Sequence, residues 1–226
     1  KVGFPATGEI SLTEIGLGSD KVDTVRLKSN YTYEKKLNLT EPGYYRLNFY
    51  DLQYVDFILD RTDLEINVDG NSQAGFAEVN GSPDHALIVE TQGALQKAQS
   101  GPLFKKVESE FQLAAQQQDK KAMETLQQQY MSELRRVQDS VISTLDKKPL
   151  SLGLINLLEG NMFDKDQQFD FYKRTADRIS REWPDSRYGK QFISMVQKMG
   201  ITAVGQMAPE ISLPDQNGDT IKLSSL

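Results

Sequence analysis

The chain has 226 residues, with 26 Lys+Arg against 32 Asp+Glu and a formal net charge of −6. That length gives a core room to form without covalent staples, and the acidic balance provides no overall field to gather phosphate backbones. With no cysteine and one histidine, internal disulfides, thiol nucleophiles, thiolate metal sites and histidine-rich metal centres are all excluded. No apolar run approaches the ~18 residues of a membrane helix.

The sequence predicts an α+β protein in three parts. Residues 1–80 read as an antiparallel β domain, a sandwich or a barrel. Its expected strands run through Val25–Leu27, Tyr31–Tyr33, Leu37–Leu39, Gly43–Tyr50 and Tyr54–Leu59. A last one has Leu64, Ile66 and Val68 alternating with Glu65, Asn67 and Asp69. Turn signals at Gly16–Asp20, Ser29–Asn30, Glu41–Gly43, Arg61–Asp63 and Asp69–Asn71 separate these runs.

The period changes after Asn80-Gly81. Ser82 before Pro83 is a helix start, because a hydroxyl can accept from orphan amides and Pro at the first position forfeits no hydrogen bond. Residues 81–202 are expected to be helical. Phe104, Val107 and Phe111 share one face, and after Asp119 comes a second series. Met123, Leu126, Tyr130, Leu134, Val137, Val141 and Leu145 make a stripe of roughly seven turns. The two series predict an αα-hairpin with a shared seam. Shorter helices are expected near 150–159, 164–182 and 186–199, with Asp164 and Asp166 at a dipole-favoured start.

The third part, 203–226, predicts a β-hairpin: Ile211 and Leu213 alternate, Asn217-Gly218 turns, and Ile221 and Leu223 alternate back. Gly205-x-x-Ala208-Pro209-x-Ile211-x-Leu213-x-Asp215-x-x-Gly218, with Leu223-Ser224 after it, resembles the opening of the thioredoxin-like domain of the TlpA/ResA and AhpC/TSA families. Upstream, Val79-Asn-Gly81-Ser82 and Trp183-Pro-Asp-Ser-Arg-Tyr188-Gly189 resemble the domain of unknown function, with its helical linker, that precedes such modules in bacterial envelope proteins.

The resemblance implies a non-catalytic amino-terminal region of a periplasmic or envelope-anchored thiol-disulfide oxidoreductase. On that view the chain stops inside the thioredoxin-like domain, and the redox cysteine lies beyond Leu226. Protein thiols or disulfides would be partners through that absent module. Lys1 would follow a processing site, with a lipid anchor before it. The apolar face of Ile211, Leu213, Ile221 and Leu223 would seek a sheet edge or a helical groove, in the same chain or, as the favoured host, in a neighbouring copy, which makes a homodimer an expectation.

The residues themselves point to no catalytic, cofactor or metal site and to no nucleic acid. His85, beside a helix start, reads as a surface or capping residue. Asp215-x-Asn217-x-Asp219 begins like a calcium loop, but Thr220 and Leu226 stand where Gly and Glu are needed. Asp164, Asp166 and Asp170 read as a solvated helix start, and the Gln runs 116–118 and 127–129 as a polar helix face. Asn30, Asn38 and Asn80 open glycosylation sequons, which a bacterial origin would leave inert. The alternative function comes from Tyr31, Tyr33, Tyr44, Tyr45, Tyr50 and Tyr54, a set that could line a groove for a peptide or glycan in a stand-alone binding module.

Overall fold

The computed structural model describes residues 1–17, 22–202, 210–214, 216, 219–222 and 224. It is an α+β fold divided into two compact units, 1–160 and 161–226. Helix and strand residues alone had suggested divisions after 80 and after 202. By compactness the β-rich region and the first four helices fall in one unit.

In the first unit, β1 (Ile10–Ile15), β2 (Val22–Val25), β3 (Gly43–Phe49) and β4 (Gln53–Leu59) form an antiparallel sheet in the order β2-β1-β3-β4. A second sheet pairs β5 (Glu65–Val68) with β6 (Ala77–Asn80). Neither sheet closes into a barrel among the described residues. Ile10, Leu12, Leu47, Phe49, Val55 and Phe57 of the large sheet share one core with Ile66 and Val68 of the small one. That is the period-2 burial expected of strands with one buried face.

Three stretches depart from the sequence expectation. β1 was not anticipated, because Glu9, Ser11, Thr13 and Glu14 dilute the apolar signal of Ile10 and Leu12. Conversely, 31–33 and 37–39 are not strands. Asn30 Oδ1 accepts from the Thr32 amide (3.2 Å) and hydroxyl (2.7 Å), and Tyr31 takes φ +61°. This side-chain turn breaks the extended backbone, although Tyr33 and Leu37 still pack on the core.

The β3–β4 turn also lacks its usual residues. Tyr50 (φ +60°) and Asp51 (φ +58°) occupy its centre, closed by Leu52 N–H donating to Phe49 C=O at 2.9 Å. Two positive φ values are what a type I′ turn requires, normally from Asn and Gly. Here the Asn48 amide supports the strain: its Oδ1 accepts from Asp51 N (2.9 Å) and its Nδ2 donates to Asp51 Oδ1 (2.6 Å).

Four helices complete the unit: α1 (Pro83–Gln99), α2 (Pro102–Gln116), α3 (Lys120–Leu145) and α4 (Leu152–Glu159). The Ser82 hydroxyl accepts from His85 N–H at 3.1 Å and donates to Ile58 C=O at 3.3 Å, so one side chain caps α1 and fixes it to β4. α1 ends at Ser100-Gly101, and Pro102 opens α2. α2 and α3 form the predicted hairpin. Phe104 and Val107 are buried, and Phe111, Met123, Leu126, Leu134 and Val137 are half-buried, as a two-helix seam leaves them. Six of the eight residues of α4 are buried, with Asn156 exposed and Glu159 half-buried, and Tyr44 Oη on β3 donates to Leu152 C=O at its start (2.9 Å).

The second unit holds α5 (Phe169–Glu182), α6 (Arg187–Thr202) and a hairpin of β7 (Ser212–Pro214) and β8 (Thr220–Lys222). Gly189 lets α6 approach α5, since a Cβ there would stand 2.6 Å from Ile179 Cγ2. Tyr172 and Phe192 stack with centroids 6.3 Å apart. α5 starts later than expected. Asp164 Oδ1 accepts from the amides of Asp166 and Gln167 (both 3.0 Å) and caps a turn ahead of the helix, so Asp164 and Asp166 stand outside its first turn.

Candidate functional site

The six β-domain tyrosines occupy different surroundings. Tyr33, Tyr45 and Tyr50 pack against the shared core. Tyr33 meets Phe49 edge-on at 6.0 Å and donates its hydroxyl to Ile66 C=O at 2.7 Å, and burial pushes its phenol above the ordinary range. Tyr45 stacks on its cross-strand neighbour Phe57. Burial also raises Tyr50, an effect the Ala6 backbone partly opposes, although no hydrogen bond of regular geometry reaches its buried hydroxyl. Tyr44 and Tyr54 project from the opposite face of the sheet. Tyr44 is enclosed beneath α4, Tyr54 is exposed, and Tyr31 is exposed in its own turn. Strand alternation therefore places these rings on two faces and a loop, and no single surface collects all six.

The open part of that outer face has a different character. Arg46 and Asp56 are cross-strand partners joined by two hydrogen bonds, Nε to Oδ1 at 2.6 Å and Nη2 to Oδ2 at 2.8 Å. The guanidinium also lies 5.7 Å from the centre of the Tyr54 ring. The hydrogen bond to Asp56 raises Arg46 above its ordinary range against a smaller desolvation effect. Both side chains are about half exposed, so water screens the pair and it contributes at most about 1 kcal/mol. The arginine is already neutralised by its strand partner, which makes this face a poor anion receptor.

Two glutamines organise the end of the β domain. Gln53 is 1 % exposed. Its Oε1 accepts from Gly70 N–H at 2.6 Å, and its Nε2 donates to the carbonyls of Gly75 and Phe76 at 3.1 Å each. Gln73 Oε1 accepts from Tyr54 N–H at 2.8 Å while its Nε2 donates to Tyr54 C=O at 3.3 Å. Both link the 69–76 loop to β4 across 17 to 23 residues of chain. Neither carries a periodic or compositional signal that could have identified it beforehand.

His85 lies in the first turn of α1, and burial lowers its pKa from 6.5. A neutral imidazole suits a position at the positive end of a helix dipole. Asp84 is buried against α4, where a Cβ on Gly153 would approach its carbonyl oxygen to 2.8 Å. Asp170 occupies the first turn of α5, and both Gln runs are exposed. Asp215, Asn217 and Gly218 lie outside the described residues, as do Ala203–Pro209 and Leu223. Among the described residues no group of three or more His, Asp or Glu side chains is placed to hold a metal ion, and no helix is long and apolar enough to cross a membrane.

No protein-family model, curated protein sequence or solved structure matches this chain.

Proposed function

We propose that this chain is a non-catalytic region of a bacterial envelope thiol-disulfide oxidoreductase of the thioredoxin-like, AhpC/TSA type, which positions or dimerises a redox module carried elsewhere. The observation that supports this reading is the β7–β8 hairpin. Its register sets Leu213 opposite Ile221. Ile211, Leu213 and Ile221 are nevertheless 52 %, 63 % and 42 % exposed. A two-stranded hairpin is marginal in water by itself, and an uncovered apolar face calls for a further layer. In the families that 203–226 resembles, a core strand comes next, as part of a domain that this hairpin would join.

The chemistry agrees with this division of labour. Thiol-disulfide exchange needs a thiolate to attack a sulfur and pass through a mixed disulfide. This chain contains no cysteine, so the attacking sulfur would belong to the other module. The scaffold's part would be placement, through the α2–α3 hairpin and the second unit.

The purified 226-residue chain is therefore expected neither to reduce insulin disulfides nor to consume peroxide, whereas a parent carrying the redox module should do one of these. Turnover by the 226-residue chain above the protein-free rate would contradict the proposal.

A further inference from the structure

In an antiparallel ladder, alternate residues of an edge strand turn their N–H and C=O away from the sheet, ready to pair with another strand. On β4 these are Tyr54, Asp56 and Ile58, because Tyr54 bonds outward to Gln73 and the Ile58 carbonyl bonds outward to Ser82. β4 is one edge of the four-stranded sheet. The other edge, β2, is only four residues long and carries the Asp23–Lys35 ion pair at 2.5 Å.

The Gln73 amide meets Tyr54 as a neighbouring strand would, with an acceptor on the N–H and a donor on the C=O. Ser82 and the start of α1 close the far end at Ile58. We propose that Gln73 is a strand mimic that keeps the β4 edge closed against β4 of a second copy of this chain.

The edge beneath the guard is self-complementary. Antiparallel pairing about Val55 places Tyr54 of each copy opposite Asp56 of the other, so no like charges face each other. It uses the outward groups of Tyr54 and Asp56 in both copies, about four hydrogen bonds, and does not require the capped Ile58 carbonyl. Tyr54 is the residue that Gln73 occupies, so its release is the step that opens this register. Gln73 is exposed, and its removal leaves the buried core untouched. The inference uses no residue of 203–226 and stands or falls separately from the redox reading.

The test compares the native chain with Gln73→Ala, following amide hydrogen exchange at Tyr54 and Asp56 together with sedimentation, as protein concentration rises. In the native chain Tyr54 should exchange more slowly than Asp56 at every concentration, without concentration dependence at either amide. In Gln73→Ala, Tyr54 should exchange fast when dilute. Both amides should then slow together as the sedimenting mass rises from one chain to two. Exchange at Tyr54 and Asp56 that is independent of concentration in Gln73→Ala would overturn the proposal, whatever the mass. So would a native Tyr54 amide that exchanges as fast as Asp56.

Discussion

Gln53→Leu is expected to lower the unfolding free energy by about 3 kcal/mol, although leucine fills a similar volume and is the more apolar residue. The Gln53 side chain is the partner of Gly70 N–H and the Gly75 carbonyl, and a second donor to the Phe76 carbonyl, which also accepts from Asp69 N–H. Leucine offers none of these bonds. The Gly70 amide is then buried without an acceptor, and each such orphan costs roughly 1–3 kcal/mol. The gain from burying a slightly more apolar side chain is smaller, about 1 kcal/mol or less. Urea titration should show a lower midpoint at unchanged slope, and exchange should accelerate first in the 69–76 loop. A midpoint equal to that of the native chain would show that water replaces the glutamine at little cost.

Gly81→Ala should cost a similar amount, about 3 kcal/mol, for a backbone reason. Gly81 has φ +92°, and a Cβ there would stand 2.5 Å from the Asp63 carbonyl oxygen. A methyl group meets both a disfavoured torsion, roughly 1–2 kcal/mol, and a main-chain atom that cannot rotate away. The next residue is Ser82, whose hydroxyl caps α1 and holds β4, so relief of the clash would come at the expense of the cap. Gly93 provides the internal control. It lies within α1, and nothing stands within 4 Å of its added Cβ. Gly93→Ala should therefore raise stability by about 0.5–1 kcal/mol through helix propensity. Equal effects of the two substitutions in thermal or urea unfolding would remove the steric argument.

Local signals made much of the fold legible. The Ser82-Pro83 start, the α2–α3 seam, the period-2 strands at 43–59 and the closing hairpin follow from spacing and capping chemistry within a few residues. What was not legible depended on weaker or longer-range causes. β1 hides its alternation among polar residues. The β3–β4 turn borrows its stability from the Asn48 side chain rather than from glycine. For the candidate site, the tyrosines were visible as a compositional cluster. Their distribution over two faces depends on register, and register shows only once the strand ends are fixed. Gln53 and Gln73 act through side-chain bonds to distant backbone, which leave no mark on periodicity.

The proposed role depends on one point that the coding sequence can settle directly. Reading the gene beyond the Leu226 codon should reveal a core strand of a thioredoxin-like domain, followed by Cys-x-x-Cys or a single peroxidatic cysteine. A stop codon at that position, or a continuation with neither the strand nor the cysteine, would contradict the account.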